Sequence, residues 1–245
     1  MNILIAISLS FISGLFMLVG MFIVFKSKST SKVLAFSVSL GVVVLVGLCL
    51  FHIIPDAINF LKYKYEIFQC AAFIILFSIV GFIGFQIVDR YSGHHDNTDL
   101  KHVAIITCIV LLLHNFIEGM ALYTTVEVSL KSGVLFCIGI ALHNIPLGLT
   151  VSSEFYSSTK DKKKTFLFNA SLIVATVAGS FLISLFNINP NNSLLFGILL
   201  SLTLGMIGYI VINELLPMLK NKKFNNLKLA GLIVGIVLMV LTVII

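Results

Sequence analysis

The sequence predicts an all-α membrane protein of eight transmembrane helices, and three observations carry that prediction. Of the 245 residues, 59% are hydrophobic and 11% charged, against about 45–50% and about 25% in a soluble domain. So few charges cannot cover a water-facing surface. The apolar residues fall in eight runs, each near the roughly 20 residues a helix needs to cross a bilayer. The runs are continuously apolar and lack the alternation of an outer-membrane barrel strand. Soluble enzymes and nucleic-acid binders are excluded on the same ground. Cys49, Cys70, Cys108 and Cys137 lie in apolar runs and form no CxxC pair. Neither a disulfide framework nor a thiolate zinc site is therefore expected.

The first span is placed at 3–25. It lacks a basic start and is too long for the apolar segment of a signal peptide. The second, 33–58, closes on His52-Ile-Ile-Pro55-Asp56. The third, 67–88, leads into the longest polar stretch, 89–101, which contains His94-His95. The fourth, 103–125, carries His114-Asn115-Phe116-Ile117-Glu118-Gly119. The fifth, 133–154, carries His143-Asn144-Ile145-Pro146-Leu147-Gly148. The sixth, 165–186, contains no charged residue. The seventh, 193–219, closes on Asn213-Glu214-Leu-Leu-Pro217, and the eighth is 229–245. Residues 1–245 thus read as a single membrane domain.

Positive charge orients the spans. Of sixteen Lys and Arg, thirteen fall after odd-numbered spans: Lys26, Lys28, Lys32; Arg90, Lys101; Lys160, Lys162, Lys163, Lys164; Lys220, Lys222, Lys223, Lys228. Lys62, Lys64 and Lys131 face the other side. Cytoplasmic loops carry the Lys/Arg excess, so loop 89–101 is placed in the cytoplasm and both termini outside. The chain reads as a multi-pass protein of the cell membrane, with the lipid bilayer as its first partner and no nucleic-acid partner.

Ionisable residues inside a span are expensive and mark function. His114 and Glu118 are four apart and share one helix face, with Asn115 beside them. His114 lies roughly 20 Å along the helix from Lys101, and His143 roughly 18 Å from Lys131, so the two reach similar depth near the midplane. Neutral imidazole and carboxylate suit Zn²⁺, and also Fe²⁺, Mn²⁺ or Co²⁺. The candidate metal ligands are His114, Asn115, Glu118, His143 and Asn144. Pro146 removes a backbone hydrogen bond inside the fifth span, which gives either a kink or a carbonyl freed near Leu142. His52 and Asp56, near the outer end of the second span, are candidates for the cation's first stop. Glu214, near the inner end of the seventh, is a candidate for its way out. His94 and His95 are candidates for receiving it in the cytoplasm. Asp89 and Glu154, near inner helix ends, are expected to be solvated, with Glu154 also able to line the way out. The ion is expected as substrate, with no prosthetic group.

The motifs also suggest internal symmetry. His-Asn-x-x-x-Gly occurs in the fourth and fifth spans, which run in opposite directions. An ionisable residue three before a proline ends the second span (His52, Pro55) and the seventh (Glu214, Pro217). A 3+2+3 inverted repeat explains both pairs, and inverted repeats with a midplane site recur among transporters.

Taken together, these residues resemble the ZIP family of divalent-metal transporters, nearest its GufA-like branch, over the whole chain. The fourth- and fifth-span motifs look like the family's signatures there. The ends of spans two and seven look like its counterparts. The resemblance implies transport of a divalent cation, zinc foremost, toward the cytoplasm by alternating access, with metal ligands from spans four and five. It also implies a homodimer. Two positions depart from the family. Leu147 stands where it usually has a carboxylate or His ligand, and Ala175 where GufA-like members tend to have a Glu. The remaining set carries −1, from Glu118, against +2 on the ion, an imbalance that weakens binding in a low-dielectric centre. Two alternatives follow: a carrier that prefers Fe²⁺ or Mn²⁺, and a non-transporting homologue that senses metal or binds a partner. An intramembrane protease would need HExxH, which is absent, so the chain is not expected to be an enzyme.

Overall fold

The computed structural model describes residues 2–91, 100–185, 194–220 and 224–244. Regular structure among them is entirely helical. Eight helices are long and apolar enough to cross a membrane: α1 (Ile3–Lys26), α2 (Thr30–Leu61), α3 (Ile67–Arg90), α4 (His102–Glu127), α5 (Leu130–Thr159), α6 (Lys162–Leu185), α7 (Leu194–Leu219) and α8 (Asn225–Ile244). The all-helical, eight-span prediction is therefore met. Residues 92–99, with His94 and His95, lie outside the described residues.

Helix ends follow local chemistry. The Ser129 hydroxyl accepts from the backbone N–H of Ser132 and caps α5,. That helix stops at Lys160, which turns left-handed with φ of 55°. Asp161 then starts α6, its Oδ1 accepting from the backbone N–H of Lys164 at 3.0 Å. That bond holds the Asp161 carboxyl below its usual range. The turn places Lys160 Nζ 3.0 Å from Thr30 Oγ1 and Lys162 over the Phe25 ring. The basic segments after α1 and after α5 thus share one face of the bundle.

The packing has a regular pattern. Helix α1 packs on α5 and α6, α4 on α5 and α6, α3 on α7, and α8 on α2. Exchanging α1 with α6, α2 with α7, α3 with α8 and α4 with α5 reproduces these pairs. The match extends to single atoms. A Cβ added at Gly119 would strike the Thr176 carbonyl, and one at Gly148 the Met17 carbonyl. One at Gly179 would strike the Phe116 carbonyl, and one at Gly20 the Ile145 carbonyl. Lipid is as apolar as leucine, so helices in a bilayer gain from close contact at small residues rather than from hydrophobic burial. These four glycines let α4 meet α6, and α5 meet α1, backbone to backbone.

Helices α2 and α7 share a second feature. Each contains a π-turn just before its proline: Cys49–Ile53 before Pro55, and Ile210–Leu215 before Pro217. The Ile54 N–H donates to the Cys49 carbonyl, and the Leu216 N–H to that of Val211. Proline lacks an N–H and crowds the preceding turn, so the helix opens by one residue. His52 and Glu214 sit inside these wider turns.

Burial follows the same arrangement. The apolar window of α4 is 72% buried and that of α3 only 17%. Helix α4 is the central rod, so its polar residues face protein rather than lipid.

Candidate metal site

Each half of the site is set by one helix. On α4 the four-residue spacing puts His114 and Glu118 on one face. On α5 His143 comes to the same depth from the opposite direction. Nε2 of His143 is 2.9 Å from Oε1 of Glu118, and Nε2 of His114 is 3.7 Å from the same oxygen. One potential ligand atom from each residue lies within 4.8 Å of the others. His114 is 4% exposed, Glu118 8% and His143 2%.

Hydrogen bonding leaves these atoms spare. Both ring nitrogens of His114, Nδ1 of His143 and Oε2 of Glu118 lack a hydrogen-bond partner. Buried polar groups are nearly always satisfied. Apart from the close approach of His143 Nε2 to Glu118 Oε1, the atoms converge on a common point, as ligands of one ion would. Borderline nitrogen and oxygen donors of this kind suit Zn²⁺ and its neighbours in the first transition row.

The trio borders a cavity of about 40 Å³, whose wall also includes His52, Asp56, Phe60, Phe136 and Phe196. That is room for a water or an ion, not for an organic molecule. The His52 ring centroid is 6.0 Å from that of His143, and its Nε2 has no hydrogen-bond partner. His52 and Asp56 thus share a chamber with the trio, closer to it than their position at a helix end suggests. The π-turn in α2 carries His52 to this chamber.

The asparagines are placed differently. Nδ2 of Asn115 donates to the Leu172 carbonyl on α6 at 3.3 Å, and Nδ2 of Asn144 to the Ser13 carbonyl on α1 at 3.1 Å. Neither lines the cavity. Both tie the central helices to their neighbours, although each Oδ1 is buried without a partner. Leu147 is 1% exposed and belongs to the hydrophobic core. Ala175 is half-buried on α6.

The expectation that Asp89 and Glu154 are solvated is not met. Helix α5 runs to Thr159, five residues beyond the span expected from hydropathy, so Glu154 lies inside the bundle at 0% exposure. Asp89 Oδ2 accepts from the Tyr209 hydroxyl at 2.5 Å, and its Oδ1 is 2.6 Å from His102 Nε2. Glu214 is 1% exposed and lies within electrostatic reach of Asp89, His102 and Glu154. His102, Tyr209 and Thr107 are members of this inner cluster that sequence reasoning passed over. Tyr209 carried a signal, as the one tyrosine away from a span end. His102 and Thr107 carried none.

Comparison with known proteins gives a consistent result. The profile of the family described as "ZIP Zinc transporter" matches residues 91–242. The chain is 28% identical to the zinc transporter ZupT of Oceanobacillus iheyensis, over 97% of this chain and 96% of that protein. It is also 28% identical to ZupT of Chlorobaculum parvum over 97% and 96%, and 26% identical to ZupT of Salmonella heidelberg over 99% and 97%.

Proposed function

This chain belongs to the ZIP zinc transporter family, and we propose that it carries Zn²⁺ into the cytoplasm by alternating access, gripping the ion between His114, Glu118 and His143. It is a multi-pass protein of the plasma membrane, with divalent-metal transport as the family's activity. The observation that carries the proposal is the convergence of three buried donors whose remaining hydrogen-bonding capacity is unused.

Each side chain then has a role. His52 and Asp56 receive the ion on the outer side, where the carboxylate attracts it and the imidazole begins to replace its water. His114, Glu118 and His143 complete that exchange at the midplane. Glu118 supplies a single negative charge against two positive ones. The grip is correspondingly weak, which suits a carrier because the ion must also leave. Asn115 and Asn144 keep α4 and α5 seated on α6 and α1, and Glu214 lies on the way out.

Alternating access needs closures on either side of the site. The Phe60 and Phe196 rings stack at 5.1 Å beside the cavity, and we assign that stack as the outer closure. The π-turns of α2 and α7 are the places where those helices can change register, since a widened turn can migrate by a residue without breaking the helix.

The test is Zn²⁺ uptake into proteoliposomes, with Fe²⁺, Mn²⁺ and Co²⁺ as competitors. Removing a group that only orients a metal ligand typically costs about 10–100-fold, so loss of a ligand itself, in His114→Ala or Glu118→Gln, should lower uptake by more than about 100-fold. A wild-type protein that binds one of these ions and moves none would sink the carrier reading. The sensor reading would replace it, which the apolar environment of Leu147 favours.

A further inference from the structure

The net charge of the chain sits in one corner of the bundle. Lys26, Lys28 and Lys32 stand at the turn from α1 to α2, and Lys160, Lys162, Lys163 and Lys164 at the turn from α5 to α6. All seven are exposed. Asp161 is the single acidic residue in either stretch. Seven positive charges and one negative leave +6 here, which equals the formal net charge of the whole chain. The other nine Lys and Arg are therefore cancelled by the other nine Asp and Glu. The two stretches lie 130 residues apart in sequence and meet in space, where Lys160 Nζ donates to Thr30 Oγ1 at 3.0 Å. Lys162 Nζ is 5.6 Å from the centre of the Phe25 ring, and Lys160 Nζ 5.7 Å from that of Tyr156. Phe25 and Tyr156 pack edge to face at 5.3 Å, which joins the two lysine groups into one patch.

Like charges gathered in one patch repel, and the acid among them is already engaged, with Asp161 Oδ2 3.6 Å from Lys164 Nζ. The arrangement suits an external anion. Its position selects which one. Helix α1 ends at Lys26 and α2 begins at Thr30, while α5 ends at Thr159 and α6 begins at Lys162. The lysines thus stand at the ends of spanning helices, at the depth of lipid headgroups. On the same ends of α1 and α6, Phe22, Ile23, Phe166 and Leu167 are 44–55% exposed. A basic patch bordered by exposed apolar side chains matches a molecule with an anionic head and a hydrocarbon tail. Clusters of about four to eight Lys or Arg beside a spanning helix attract anionic lipid in this way. We propose that this corner binds the phosphate headgroup of an anionic phospholipid, which bridges the two lysine stretches. The bound headgroup offsets their repulsion and holds α2 on α5, the helix that carries His143. The site stands on charge and position, whether or not the chain carries metal.

The experiment follows acyl-labelled phosphatidylglycerol binding to the purified full-length chain in neutral detergent, by fluorescence anisotropy. Labelled phosphatidylcholine is the comparison without net charge. Wild type should hold phosphatidylglycerol at least about tenfold more tightly. A lysine beside an anionic surface is worth about fivefold in affinity. Lys160→Gln, Lys162→Gln and Lys163→Gln together should therefore weaken the binding on the order of 100-fold, as should Lys26→Gln, Lys28→Gln and Lys32→Gln together. Lys62→Gln, Lys64→Gln and Lys131→Gln remove as much charge from the opposite end. Charges a membrane's thickness away are screened, so that set should change binding by less than about twofold. An equal loss in it would trace the effect to net charge and overturn the proposal, as would equal affinity for the two lipids. Displacement of the lipid by inorganic phosphate, or tighter binding of polyglutamate, would replace the lipid with a soluble anion and overturn it too. The unaltered chain supplies a test that needs no variant. Raising salt from about 0.1 M to about 1 M should release phosphatidylglycerol, and a hold that ignores salt overturns the proposal.

Discussion

The α4 motif and the α5 motif are the same structure carrying different chemistry. They are 29 residues apart, from His114 to His143, and the offset holds for Asn115 and Asn144, Phe116 and Ile145, and Gly119 and Gly148. Their neighbours match as well. Leu172, Thr176 and Gly179 of α6 play toward α4 the part that Ser13, Met17 and Gly20 of α1 play toward α5, at a constant offset of 159. The fourth position after the histidine is where an ionisable residue faces an apolar one, Glu118 against Leu147. Glu118 faces the cavity, and Leu147 joins the core. The repeat thus preserves the groups that make helices meet and lets the groups that meet the ion diverge. Close packing constrains a glycine from both sides, while a ligand position is constrained only by its cargo.

The comparison can be broken first at the glycines. Gly119→Val and Gly148→Val should each cost about 1–3 kcal/mol or more by overpacking, because each would push a side chain into a neighbouring carbonyl. Thermal unfolding in detergent should show equal losses, with uptake abolished in both. Tolerance of one and not the other would mean that the two interfaces are not equivalent.

The comparison can be sharpened at the odd position. Leu147→Glu should restore a second central carboxylate and tighten Zn²⁺ binding by about tenfold, or about 1.4 kcal/mol, while slowing release. Titration calorimetry and the maximal uptake rate read the two effects. Unchanged affinity would place residue 147 away from the ion.

The smallest effect is expected at the asparagines. Asn115→Ala and Asn144→Ala each remove one interhelical bond, worth about 0.6 kcal/mol within a membrane, and should change Zn²⁺ affinity by less than about threefold. A loss of tenfold or more at either position would identify that asparagine as a ligand rather than a tie.

Much of this was legible in the sequence, for physical reasons. Hydrocarbon tolerates no unpaired backbone, so apolar runs of sufficient length had to be helices, and their number could be read off directly. The i, i+4 spacing of His114 and Glu118 fixed a shared face on any helix. Matched depth brought His143 to them, and the duplicated motif announced a repeat. Helix ends were less legible. Hydropathy stops at the first polar residues, and α5 continues past them, so Glu154 read as solvated when it is buried. Other features depended on how the helices meet. The place of His52 at the cavity wall, the bonds of Asn115 and Asn144 to neighbouring helices, and the full burial of Glu154 depend on contacts between distant parts of the chain. Period, charge and length belong to one helix at a time and are written along it. Which faces turn toward each other is set by where glycines allow two backbones to touch, and that was decided only when all eight helices packed.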